Sequence, residues 1–213
     1  NTIGAGAFGD LYIADNQGDW IPASKIVHVE DGAFYGSRAV LHEKAESLRV
    51  TPPVVWMPHG EVSNSPSGIV PLHGHDDQML VGDVTYGGLQ RIFVERVGPV
   101  LQGAVFRFSQ GFEAGVNRMA WGPDGALYVG GIGSTGNWSQ EGKQRFGLER
   151  LKPNGKPTFE MLALRGFQNG IEIEFSEPLA DGAGWEPNDF DVERFRYEPT
   201  ERYGGPKLDV TPL

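Results

Sequence analysis

Apolar and polar residues alternate in several short runs of this chain. Lys25-Ile26-Val27-His28-Val29, Leu89-Gln90-Arg91-Ile92-Phe93-Val94 and Ala104-Val105-Phe106-Arg107-Phe108 each interleave apolar and polar residues. That period of two predicts half-buried β-strands. Gly170-Ile171-Glu172-Ile173-Glu174-Phe175 and Asp191-Val192-Glu193-Arg194-Phe195-Arg196-Tyr197 repeat the pattern near the C-terminus, separated by a polar loop over 181–189. Gly122-Pro123-Asp124-Gly125 is a predicted turn, because proline presets φ and glycine accepts a positive φ. A helical period has a single short candidate, Ala39 to Leu48.

One phrase occurs twice. Asn1 stands ten residues before Leu11-Tyr12-Ile13, and Asn117 stands ten residues before Leu127-Tyr128-Val129. Each copy runs from a short apolar stretch through a Gly/Asp turn into the LY-type strand, then into a polar loop ending in Trp. Gln78-Met79-Leu80-Val81-Gly82-Asp83 aligns as a third copy of the strand. The strand starts at Leu11, Met79 and Leu127 are 68 and 48 residues apart. The second step matches the roughly 40–50 residues of a four-stranded propeller blade. The first is a blade plus an insertion, placed between Asp31 and Gly68, where Pro, Ser and His are frequent. The expected fold is all-β: residues 1–160 as about three blades of a β-propeller that begins mid-blade, and residues 161–213 as the start of an immunoglobulin-like sandwich. With no initiating Met, and with Asn1 already inside a repeat, the chain is expected to be a piece of a longer one.

Composition narrows the partners. Thirty-one Gly and fifteen Pro require frequent turns, and a 39% hydrophobic fraction supplies a core. A formal charge of -10 argues against nucleic acid and anionic membrane surfaces, which need basic patches. With no Cys, thiolate metal sites, Cys nucleophiles and disulfides are excluded. No apolar run reaches membrane-spanning length. No Gly-rich stretch has the strand–GxGxxG–helix or P-loop context of nucleotide binding, and no Gly-x-Ser-x-Gly elbow is present.

Equivalent loops of successive blades project from one face, so the loop after each LY-type strand is the place to look for chemistry. The first loop offers Asp15, Asn16, Gln17, Asp19 and Trp20. The second offers Asp83, Thr85 and Tyr86, and the third Ser134, Asn137 and Trp138. Carboxylates and amides beside an aromatic ring suit a sugar, whose hydroxyls need donors and acceptors and whose apolar face packs on a ring. Asp and Asn oxygens also suit calcium. The competing reading is turn chemistry with Trp packed between blades. DNQGDW, with six consecutive special residues, exceeds what one turn requires. His59 and Glu61, two apart on a segment that includes Asn64, form a candidate base and acid on one face, or else a polar loop over the blade top. His73-Gly74-His75-Asp76-Asp77 has the look of a metal cluster, but its place before a strand equally fits a polar turn. Arg118 offers a fork of donors for a carboxylate, quinone or sugar oxygen, while its neighbour Asn117, matched by Asn1, reads as a structural repeat position.

GDLYIADNQGDW, PHGEVSNSPSG, MLVGDVTYGGLQRIFVE, GVNRMAWGPDGALYVGG and FGLERL together resemble the glucose/sorbosone dehydrogenase-like β-propellers. The likeness is to the branch found in large secreted, multidomain bacterial proteins, often joined to cytochrome c or sugar-active modules and followed by an immunoglobulin-like segment. The resemblance implies an extracytoplasmic sugar or polyol dehydrogenase, with pyrroloquinoline quinone (PQQ) and calcium as cofactors and a cytochrome c or other domain of the same parent as partner. It makes Asp15, Asn16, Gln17, Asp19 and Arg118 the cofactor-side residues and His59 with Glu61 the catalytic ones. Trp20, Asp83, Thr85, Tyr86, Asn137 and Trp138 fall to the substrate. Gln17-Gly18 matches the core of the family's Asp-Gln-Gly-Arg-Asn loop, but Asp19 stands where the family has Arg. That departure favours the alternative, a non-catalytic glycan- or protein-binding propeller module.

Overall fold

Five antiparallel sheets account for the named strands of the protein in a computed structural model, which describes residues 1–38, 45, 47–133, 142–181, 186 and 189–213. The first sheet is a meander of β1 (Thr2–Ala5), β2 (Leu11–Asp15), β3 (Ser24–His28) and β4 (Val55–Met57), in that order. The second repeats it with β5 (Pro66–Pro71), β6 (Gln78–Asp83), β7 (Leu89–Val97) and β8 (Val100–Ser109). The third has β9 (Gly115–Trp121), β10 (Leu127–Ile132) and β11 (Phe146–Leu151), with β10 central. The three repeat-phrase strands are therefore β2, β6 and β10, each the second strand of its sheet. The strands that open each sheet lie side by side, β1 against β5 and β5 against β9. Ser67 Oγ donates to the Val116 carbonyl at 2.6 Å across the second of these seams.

This topology sorts the connections between two ends. The turns β1–β2, β5–β6 and β9–β10 share one end, where the Phe8 amide donates to the Asp76 carbonyl. The loops β2–β3 and β6–β7 and the β4–β5 connection share the other. The extra length of the first unit lies within its sheet, in the connection over 29–54 between β3 and β4. The proposed helix Ala39–Leu48 falls largely outside the described residues.

Two apolar layers separate the sheets. Tyr12, Ile26, Met57, Met79, Val81 and Ile92 fill the space between the first and second. Val70, Leu80, Leu89, Val116, Leu127 and Val129 fill that between the second and third. The second sheet is thus covered on both faces, and every residue of β6 is buried. This is why its sequence, QMLVGD, does not alternate cleanly. Each fully buried Leu, Ile or Met contributes roughly 1.5–3 kcal/mol. The outer strand β11 does alternate, and it leaves Phe146 and Leu148 exposed.

The remaining strands form two separate pairs. β12 (Met161–Phe167) and β13 (Gly170–Phe175) make a hairpin that packs on β7 and β8. Arg91 holds it through Glu160 at 2.7 Å, and Ala163 sits against Phe93 and Ala104. β14 (Glu193–Arg196) pairs with β15 (Leu208–Pro212). Among the described residues no ladder joins the two pairs into one sheet.

Close approach at the third sheet explains Gly115. A Cβ there would lie 1.8 Å from the Val84 carbonyl oxygen and 2.9 Å from that of Ile132. Both obstacles are backbone, so neither can swing aside. Gly115→Ala is expected to cost about 2 kcal/mol by overpacking, lowering Tm by roughly 4–8 °C at this chain length. A melting curve unchanged within about 1 °C would show that the seam yields freely.

Candidate functional site

The β2–β3 loop carries DNQGDW, and much of its polar content is spent on holding itself and a distant segment. Asn1 Nδ2 donates to Asp15 Oδ1 at 3.1 Å, and the Asn16 amide donates back to Asn1 Oδ1 at 2.9 Å. The Gln17 amide donates to Ser24 Oγ, and Asn16 Nδ2 to Ser65 Oγ. Gly18 and Ile21 close the loop with a reciprocal pair of 3.0 Å backbone bonds. Trp20 adopts a left-handed backbone, φ 65°, and its ring lies under the Arg38 guanidinium at 4.5 Å.

The segment between β14 and β15 then lies across this loop as a strap. The Trp20 amide donates to the Thr200 carbonyl at 2.9 Å, the Gly204 amide to Gly18 at 3.0 Å and the Gly205 amide to Pro22 at 2.8 Å. Asp19 and Tyr203 form an isolated bridge. Gly204 takes the left-handed backbone that glycine adopts without strain, φ 70°, and packs against the Gln17 side-chain amide. Lys207 Nζ bonds Glu61 Oε2 at 2.6 Å, and the Tyr197 and Trp56 rings meet at 5.0 Å.

Strap and loop enclose a cleft of about 640 Å³. Gln17, His59 and Glu61 line it, together with Tyr197, Arg202, Tyr203 and Lys207. Three residues singled out from the sequence thus meet in one place. Burial pushes the Tyr197 hydroxyl above its ordinary value, with the Glu61 carboxylate adding to the effect, so it stays a donor at neutral pH. A smaller cleft of about 220 Å³, lined by Gly60, Glu61, Tyr86, Gln90 and Arg107, adjoins it across Glu61.

Other candidates are placed elsewhere. Asp15 faces inward, 3.8 Å from the buried Lys25 ammonium, which also donates to the Tyr35 carbonyl. Asp83 is fully buried. Its Oδ2 accepts from the Ser63 hydroxyl and from the amides of Asn64 and Ser65, and its Oδ1 from the Tyr86 amide. It ties the β4–β5 connection to the β6–β7 loop. Thr85 is half-buried in that loop and lines neither cleft. Asp19 is exposed, and Trp20 spends its ring on Arg38. Arg118, exposed on β9, bonds its own neighbour Asn117 and does not reach the cleft. Ser134, Asn137 and Trp138 lie outside the described residues. His73 and His75 belong to the β5–β6 turn at the other end, where His73 stacks on Trp121.

Among the described residues no three His, Asp or Glu side chains gather in a metal-holding group. Asp15 answers Lys25, and Asp83 is saturated by its own loops. The cationic groups at the cleft, Arg202 and Lys207, include one already paired to Glu61, which leaves little for a quinone polycarboxylate. The cleft's own chemistry is two phenols, an amide, an imidazole, a guanidinium and an ion pair. These are partners for hydroxyl groups.

The strap residues Tyr197, Arg202, Tyr203 and Lys207 were not singled out in the sequence. The one local signal for them is Tyr-Gly-Gly-Pro at 203–206, a turn phrase in an otherwise polar stretch.

No protein-family profile matches this chain, and no curated protein matches it. Among solved structures, it is similar to a crystal structure from Thermus thermophilus that is provisionally described as an oxidoreductase (glucose dehydrogenase). The likeness has a TM-score of 0.48 and 21% sequence identity; it covers 67% of this chain and 42% of that one, so the chain spans less than half of that protein's length.

Proposed function

We propose that this chain is a sugar-handling stretch of a β-propeller of the glucose/sorbosone dehydrogenase-like kind, and that the cleft under the strap takes a neutral sugar or glycan. Residues 1–160 supply about three blades, and residues 161–213 an appended β segment. Successive four-stranded meanders with adjoining first strands support the blade reading. The observation that carries the ligand reading is the convergence of Gln17, His59 and Glu61 with Tyr197 and Tyr203 on one cleft. Phenol rings pack on the apolar face of a pyranose, while the amide and carboxylate address its hydroxyls. A net charge of -10 turns polyanionic ligands away. An extracytoplasmic location and cytochrome c or sugar-active neighbours follow from the same family resemblance.

One observation favours catalysis as a second reading: His59 stands exposed at the cleft two residues from Glu61, as a base beside an orienting carboxylate would. No redox step is assigned to this chain.

The test is binding of a panel of mono- and oligosaccharides to the full chain by calorimetry, with Tyr203→Ala alongside. Tyr203 is 70% exposed, so the variant keeps its fold. Saturable binding that falls at least about tenfold in Tyr203→Ala (about 1.4 kcal/mol) supports the cleft. No sugar bound by folded protein overturns it. Dye reduction by the longer parent, loaded with PQQ and calcium and given the sugars that bind, separates the dehydrogenase from the binding module.

A further inference from the structure

At the end of the sheets away from the strap, the apolar layer between the second and third sheets stays open. A cleft of about 440 Å³ enters it. Leu80, Phe108, Leu127 and Leu151 form its floor. Trp121 walls one side, fixed by its Nε1 donating to the Pro71 carbonyl at 2.8 Å. His73 lies flat on Trp121, with ring centroids 3.9 Å apart and planes 16° from parallel. The segment over 152–158, turned at Gly155 with φ 71°, forms the opposite rim. It brings Lys152 and Lys156 to the mouth.

Lys152 and Lys156 form no ion pair among the described residues, as is also true of Arg107, Arg118 and Arg194. Two cations with no ion pair beside an apolar slot place positive charge at its mouth, in a chain of charge -10. We propose that this cleft binds a flat aromatic carboxylate, its ring system lying along the Trp121–His73 stack and on the leucine floor, and its carboxylate held by Lys152 and Lys156. The slot's volume suits a ligand of two or three fused rings. The stacked pair sets the thickness, since an offset-stacked ring is the geometry aromatic faces prefer. The site is independent of the strap cleft and shares no residue with it.

The probe is 2-naphthoate, titrated calorimetrically into the full chain, with 2-naphthylmethanol as the uncharged control and dodecanoate as the flexible one. Naphthoate is expected to bind at least tenfold more tightly than the alcohol and than dodecanoate. Lys152→Gln/Lys156→Gln, on exposed side chains that leave the core untouched, is expected to bring naphthoate down to the level of the alcohol. Trp121→Leu is expected to weaken both ring compounds. Naphthoate binding that is absent at millimolar concentration, or unchanged in the double lysine variant, overturns the proposal. Preference for dodecanoate overturns it as well, since that would make the slot an acyl-chain site.

Discussion

Asp83→Ala is expected to lower the unfolding free energy by about 4 kcal/mol, because the buried donors it serves are left unsatisfied. The carboxylate accepts four hydrogen bonds with no exposed surface of its own. Alanine leaves the Ser63 hydroxyl and three amides without an acceptor, and each unsatisfied buried group costs about 1–3 kcal/mol before relaxation. Urea unfolding measures the loss directly. Asp83→Asn retains one acceptor oxygen and should cost about half as much. A variant within about 1 kcal/mol of wild type would mean that the two loops hold one another without the carboxylate. Because Glu61 and Tyr86 stand on the loops Asp83 joins, the same substitution should loosen both clefts at the strap end.

The second large effect belongs to Lys25 and Asp15. Lys25 is 2% exposed, and its ammonium has a carboxylate 3.8 Å away and one carbonyl. Asp15→Ala leaves that ammonium buried without counter-charge, at a cost of about 3 kcal/mol, the low end for a broken buried pair because the contact is loose. The double variant Asp15→Asn/Lys25→Met should recover most of it. Burial is the leading cause of both shifts: it drives Lys25 below its ordinary 10.5 and Asp15 above 3.8, with their mutual attraction opposing each. Below 10.5 the folded chain therefore binds fewer protons at Lys25 than the unfolded one, so stability rises as pH climbs through that window. Above 3.8 the folded chain binds more protons at Asp15, so stability rises as pH falls toward 3.8. Measured against the double variant, wild type should compare worst near neutral pH and improve on both flanks. A pH-independent difference would show that neither shift exists.

Much of the sheet order was legible because it is local. The LY-type phrase marks one position in a meander, and β2, β6 and β10 all occupy it. Gly122-Pro123-Asp124-Gly125 forms the expected turn, with Gly125 at φ 73°. Gln17, His59 and Glu61 were visible as site candidates because their neighbourhoods carry more polar residues than a turn uses. Asp83 looked the same in sequence, yet it points inward. Nothing local says which side of a β6–β7 loop a carboxylate takes; that depends on three donors in the β4–β5 connection upstream. The strap was invisible for the stronger reason that its value lies wholly in long-range contacts. Tyr203 and Lys207 sit in an unremarkable polar stretch until the fold lays it over DNQGDW. Trp20 was read as a sugar platform, whereas its ring lies under Arg38, whose guanidinium no local pattern would have placed there.

The Glu61–Lys207 pair spans 146 residues. A chain emerging from the ribosome can assemble its three meanders from neighbouring strands long before that lysine exists. The cleft therefore closes only after the strap has been made, and a ligand encountered earlier finds sheets without a roof. Cotranslational sampling of nascent lengths should show sheet protection appearing well ahead of any affinity for sugar, with that affinity arriving only as the strap clears the exit tunnel.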